Sequence, residues 1–263
     1  MIGNTMIRIL VLLVSLVLIS SATLAQPRTV QSDGWKISWD DSMGVATRGV
    51  TDSNDVEPWA NEVVLYGDSK LLDCEDEVLR GRVLSTVGAL VSFETYHSFY
   101  CEGAASSRAI RRFQTIDLRT GQEVDIRLLV PDSVLVAALK QNKVIRESLE
   151  QPSSWIEEVD IEDFPDLYSI IEWHGGGCEI GFGDLGTSFA FHHRRGDQIA
   201  VKFGLSHGCE VMGVRLTQVG VYLPIPAILA AELAHAEAQG YLMADLTGEP
   251  KDIISSSEET PQW

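Results

Sequence analysis

The stretch from Met1 to Ala25 constrains this chain most. Arg8 is the only charged residue before Arg28, and Ile9 to Ile19 is an unbroken run of aliphatic residues plus one Ser. Small residues follow, and Thr23-Leu24-Ala25 fits a signal-peptidase site ahead of Gln26. A charged start, a short apolar core and a small-residue cleavage site together read as a secretory signal. The run is too short to cross about 30 Å of hydrocarbon comfortably. No later stretch approaches about 18 apolar residues, so no membrane span is expected after residue 25. No Cys stands at the cleavage site, which argues against a lipid anchor. The expectation is a periplasmic or secreted protein that folds outside the cytosol.

That setting governs how Cys74, Cys101, Cys178 and Cys209 are read. An even number of cysteines in an exported chain favours disulfides. Three pairings are open. Cys74–Cys101 and Cys178–Cys209 are preferred because each keeps to one half of the chain. Closing such loops contributes about 3–4 kcal/mol each in the chain-entropy view. The 263 residues carry a formal net charge of -18, and loss of Arg8 with the leader makes this -19. This acidity argues against nucleic acid and anionic lipid as partners and permits a cationic envelope protein or cell-wall component. An apolar fraction of 45% and an aromatic fraction of 8% are enough for a packed core.

The pattern from residue 26 to 246 predicts one α+β domain, divisible into sub-halves 34–152 and 153–246. The architecture expected is an antiparallel sheet of hairpins covered by two helices. Gln26 to Asp33 reads as linker, Trp35-Lys-Ile-Ser-Trp39 as an alternating strand, and Asp40 to Pro58 as loop. Glu62 to Tyr66 is a strand, and Val78 to Cys101 holds two. Arg111 to Leu118 and Glu123 to Leu129 flank Gly121 as a hairpin. Asp132-Ser133 caps a helix spaced through Val134 to Leu149. Leu167 to Trp173 is a strand candidate. Ser188 to His192 and Gln198 to Phe203 form a hairpin around Arg195-Gly196-Asp197. Val214 to Leu223 is a strand, and Ala227 to Gln239 is a helix closed by Gly240. Residues 247–263 read as a polar, disordered tail.

Two glycine-rich segments invite a catalytic reading. His174-Gly-Gly-Gly177 matches an esterase oxyanion segment, and Gly204-Leu-Ser206-His-Gly208 matches the nucleophile elbow. That chemistry needs an acid and then a His after the Ser. Only His235 follows Ser206 and its neighbour His207 among histidines, and Asp245 and Asp252 come after His235, in the wrong order. His174, Cys178, His207 and Cys209 could ligate zinc, but their spacing fits no familiar knuckle and an oxidising setting would pair the thiols. The acidic run Glu157 to Asp166 and the segment Asp52 to Glu57 miss EF-hand spacing. His192-His193 reads as one inward and one outward strand residue. Trp155 and Trp173 read as packing residues rather than sugar platforms. No catalytic residue, cofactor or metal is assigned. The competing reading is a serine hydrolase using Ser206, or a metal-assisted one using His174 and His207.

Tyr96-His-Ser-Phe-Tyr100-Cys-Glu-Gly103-Ala104-Ala105, followed by Thr115-Ile-Asp117-Leu118-Arg-Thr120-Gly121-Gln-Glu-Val124, resembles the RsiV-type extracytoplasmic domain. That domain occurs in anti-sigma factors and beside some polysaccharide deacetylases. Phe189 through Phe203 and Val221 to Ile228 resemble its closing hairpin, last strand and helix entry. The likeness spans roughly residues 90–235. Ala105-Ser106 stands where the family pattern has Ala-His, and no sigma-binding segment precedes the apolar run. The resemblance implies a non-catalytic α+β binding domain, with Tyr96, Tyr100, Gly103 and Ala104 as candidate binding residues. One branch of the family binds lysozyme, a cationic protein.

Overall fold

Asp33-Gly34 is a two-residue turn, and it organises the first sheet. The computed structural model describes residues 27–48, 62–67, 75–103, 108–142, 180–181, 186–207, 216–249, 251 and 258–259. Asp33 and Gly34 adopt φ of 49° and 76°. Two consecutive positive φ values make the hairpin turn whose twist matches paired strands, and Asp-Gly is its preferred pair. The segment expected as linker is therefore a strand, β1 (Arg28–Ser32), paired antiparallel with β2 (Trp35–Trp39). Part of the expected loop is also a strand. β3 (Gly44–Arg48) pairs with β2 on one side and β4 (Glu62–Tyr66) on the other, completing the N-terminal sheet.

The central sheet runs β5 (Glu75–Val87), β6 (Leu90–Tyr100), β7 (Arg108–Asp117) and β8 (Gln122–Glu123), all antiparallel. The hairpin at Gly121 is present, but its second arm is only two residues long. The Asp125 carboxylate accepts the Arg127 N–H and starts a 3-10 turn over Ile126–Leu128 instead. Such local side-chain bonds compete with strand pairing. Helix α1 (Asp132–Gln141) has Pro131 at its N-cap rather than Asp132 or Ser133. It stops well short of Leu149. Asn142 turns extended there and donates its Nδ2 to the Gly220 carbonyl at 3.1 Å.

The C-terminal sheet holds β9 (Ile180–Gly181), β10 (Phe189–Arg195), β11 (Gln198–His207), β12 (Leu216–Pro224) and β13 (Glu258–Glu259). Its order is β10-β11-β12-β13, with β9 also on β11. The chain leaves β12 through a 3-10 turn, Ala227–Leu229, into α2 (Ala230–Gln239), which Gly240 closes in the left-handed region. A short helix, α3 (Met243–Leu246), follows. Among the described residues the fold is thus α+β, with every strand pair antiparallel, in three sheets. Thr247 to Glu249, Lys251 and β13, all within the expected tail, are described residues. The strand candidate Leu167 to Trp173 lies outside them. No described helix is long and apolar enough to cross a membrane.

Alternating residues sort the core. Val83, Val91, Phe93 and Ile116 face the N-terminal sheet, where Trp35, Ile37 and Trp39 meet them. Leu84 and Phe113 face the other way, against Ala190 and Met243. Phe189, Phe191, Val201, Phe203, Val219 and Leu223 line the opposite face of the C-terminal sheet with Leu135, Leu139 and Leu233 from the helices. Phe113 stacks over the bare backbone of Gly204, where an added Cβ would lie 2.9 Å from the ring. Gly204→Ala should therefore lower stability by about 1–3 kcal/mol, since the wedge must push two packed sheets apart. Urea denaturation measures it, and an unchanged midpoint would contradict the packing described.

Candidate functional site

A cavity of about 330 Å³ opens where the turn after β5, the turn after β7 and both 3-10 turns converge. Buried Val87, Leu90 and Leu229 form apolar walls. Each turn is built by local chemistry. The Asp117 carboxylate accepts the Arg119 N–H and grips its guanidinium at 2.9 Å. Asp125 grips Arg127 in the same way, and Pro226 stands at the head of the second 3-10 turn. A turn of three residues buries some side chains and forces others outward. Here Ile126 and Leu229 go in, while Leu128 and Ile228 stand 82% and 77% exposed. They are the most exposed large hydrophobic residues among those described, and both line the same cavity.

Carboxylates surround the mouth: Asp33, Asp117, Glu123 and Glu232. Arg119 is the only cation among the described lining residues. Burial acts to raise the Asp117 carboxyl, but the bonds from Arg119 overcome this and hold it below the usual carboxylate range. Asp117 in turn raises the guanidinium, with Asp33 and Glu232 adding to the effect. Asp117 and Arg119 neutralise each other, leaving Asp33, Glu123 and Glu232 as excess negative charge beside two exposed aliphatic side chains.

A second polar group crosses the C-terminal sheet. The register of β10 against β11 slips between Phe191 and His193. Such a bulge places one extra residue in the strand and re-aims side chains. His192 and His193, expected on opposite faces, are therefore both buried, at 0% and 8% exposure. Their Nδ1 atoms lie 2.7 Å apart. His192 Nε2 reaches Glu249 at 3.2 Å, Lys202 Nζ donates to the same carboxylate at 2.7 Å, and Lys202 also donates to Gln218 at 3.1 Å. His193 Nε2 lies 3.4 Å from the Tyr222 hydroxyl, and the Arg195 guanidinium covers the Tyr222 ring at 3.4 Å.

The residues singled out from sequence lie elsewhere. Tyr96 is half-buried on β6 between Arg80 and Arg111, Tyr100 is exposed at the strand end, and Gly103 is exposed in the following turn. Along β6 from Leu90 at the cavity, Tyr96 lies about 20 Å and Tyr100 about 33 Å away at ~3.3 Å per residue. Ala104, His174, Cys74, Cys178 and Cys209 lie outside the described residues, as do Trp155, Trp173 and the acidic run Glu157 to Asp166. Cys101 is disulfide-bonded, to a partner outside them. Ser206 lies within β11, its backbone paired to Leu216 and to Gly181, rather than on a strand-to-helix turn. His235 is exposed on α2. Among the described residues no three His, Cys, Asp or Glu side chains are grouped to hold a metal ion. Few cavity residues carry a sequence signal: Asp33 belongs to an Asp-Gly turn, and Ile228 and Leu229 follow the helix entry at Pro224-Ile-Pro226.

Comparison of the chain with protein-family models, curated proteins and solved structures finds no match.

Burial acts to raise the Glu249 carboxyl, but bonds from His192 and Lys202 outweigh it and hold the group down to about 2, against an ordinary value of 4.5. A carboxyl lowered by folding adds stability that is complete above its unfolded value and lost as pH falls through its folded one. Glu249→Gln should therefore lower the urea midpoint at neutral pH. Its difference from the native chain should shrink as pH falls from about 4.5 to about 2. A deficit that stays constant across that range would refute the ion pairing.

Proposed function

We propose that this chain is an exported, non-catalytic binding domain of the bacterial envelope, and that its cavity takes a cationic, partly apolar segment of a partner. The observation that carries this reading is the pairing of Leu128 and Ile228 with Asp33, Glu123 and Glu232 around one opening. These two side chains offer apolar surface at the cavity that an occupant would cover. Excess carboxylates beside them select a basic group and repel acidic ones. The leader, the acidic composition and the resemblance to RsiV-type domains point the same way, toward a cationic envelope protein or cell-wall component outside the cytosol. A hydrolase reading finds no support in the placement of Ser206.

Calorimetric titration with a short peptide of alternating Lys and Leu tests the site. Binding should weaken as salt rises from about 50 mM to about 500 mM, because exposed charges are screened. Glu123→Gln and Glu232→Gln should each weaken it by roughly 2–5-fold, as single exposed charge pairs do. Ile228→Ser should weaken it by about tenfold through lost apolar burial. Equal affinity for a Glu–Leu peptide, or indifference to all three substitutions, would overturn the proposal.

Export makes a further demand on sulfur chemistry. Glu75 and Tyr100 are directly opposed in the register of β5 and β6, and Cys74 and Cys101 are their neighbours in the chain. Directly opposed residues suit the Cα separation of a disulfide. Non-reducing digestion followed by mass spectrometry should yield a linked Cys74–Cys101 peptide. Recovery of Cys101 joined to Cys178 or Cys209 would contradict the pairing.

A further inference from the structure

The geometry points to Arg119 as a built-in occupant of the cavity, an internal guanidinium that an arginine of the partner displaces from Asp117. The inference rests on the reading of the cavity as a cation site and names the group it takes: a guanidinium rather than an ammonium. The mouth is assembled around the turn Gly88-Ala89 between β5 and β6. The Ser32 hydroxyl donates to the Gly88 carbonyl at 2.7 Å and so brings the neighbouring Asp33 to the opening. The Leu118 N–H donates to the Ala89 carbonyl at 2.9 Å, which holds the turn of Asp117 and Arg119 beside it. Glu232 crosses from α2 over the bare backbone of Gly88, where an added Cβ would lie 2.8 Å from its Cγ. Carboxylates from three distant parts of the chain thus converge on one guanidinium. Asp117 grips it directly, and Asp33 and Glu232 act on it through space.

Asp117 presents both of its oxygens to that group. Arg119 Nε donates to Oδ1 at 2.9 Å, and Nη2 donates to Oδ2 at 2.9 Å. A guanidinium makes this two-pronged match and an ammonium does not. The resident group is nevertheless held loosely. Its side chain is 62% exposed, and its partner stands only two residues away. An exposed pair of this kind stabilises little, so exchanging one guanidinium for another sacrifices little. The Asp117 carboxylate is the more enclosed half, at 18% exposure, and is costly to leave without a donor. An incoming arginine restores the same two bonds and lays its aliphatic stem along the apolar walls. The turn survives the exchange, because Asp117 also accepts the Arg119 backbone N–H and its carbonyl accepts the Gly121 N–H at 2.7 Å.

Calorimetric titration of the full chain with two short peptides, one alternating Arg and Leu and one alternating Lys and Leu, tests this. The Arg peptide should bind the native chain more tightly than the Lys peptide by roughly 2–5-fold, the worth of one exposed charged contact. Arg119→Ala removes the competitor and should tighten the Arg peptide by about 2–5-fold, and the Lys peptide by less. Arg119→Lys keeps the charge without the fork, so its affinity for the Arg peptide should fall between the other two. Unchanged or weaker binding in Arg119→Ala, or an Arg119→Lys chain that matches the native one, would overturn the displacement. The Arg119 Nε–H resonance follows the exchange without any variant. Once the Arg peptide saturates the cavity, its nitrogen-15 shift should move and its exchange with solvent should quicken. A resonance that stays in place with the peptide bound sinks the inference and leaves the cation site standing. Failure of both peptides to bind either the native or the Arg119→Ala chain refutes the cation site itself.

Discussion

The central sheet packs on both faces, so its polar groups must find partners inside the protein. Glu94 has no exposed surface and pairs with Arg111, itself buried, and with Arg82 at 2.7 Å. Ser92 and Thr115 share a hydrogen bond at 2.8 Å, and the Thr115 hydroxyl continues to the Phe189 carbonyl of the C-terminal sheet. A buried charge left alone costs far more than a paired one stabilises. These contacts therefore act as registration points more than as sources of stability. They fix how β10 and β11 lie over β7, and so where the imidazole pair and the cavity come to rest.

The cavity follows from that registration. Its walls come from the ends of two hairpins and from two short turns, each closed by its own local bond. Such turns are positioned by the sheets beneath them and are spared packing duties of their own. Leu128 and Ile228 can thus stay outside, and the carboxylates near them need not be neutralised within the fold. Like charges around an opening repel each other, and a cationic occupant relieves that repulsion.

Much of the backbone was legible in the chain. The hairpin read around Gly196 is present as β10 and β11, and Gly240 ends α2 where a left-handed residue is required. Other features were hidden because local signals compete with tertiary ones. Asp33-Gly34 is a strong hairpin signal, yet the polar residues of β1 mask the strand it joins. The expected second arm after Gly121 carries apolar residues like any strand, but Asp125 diverts it into a 3-10 turn. The slip at His192 leaves no trace in composition. Strand alternation predicts opposite faces for neighbouring residues, and one inserted residue is enough to break that rule.

Short-range chemistry in the chain is thus enough to set the turn at Gly196, the end of α2 at Gly240 and its acidic character, because those depend on neighbours a few residues apart. It leaves open which distant residues meet. Asp33, Arg119, Leu128 and Glu232 border one opening, and His192 meets Glu249, only after three sheets have stacked. Stacking depends on the shape and volume of many side chains at once, as Phe113 against Gly204 shows, and no window of local sequence contains that information.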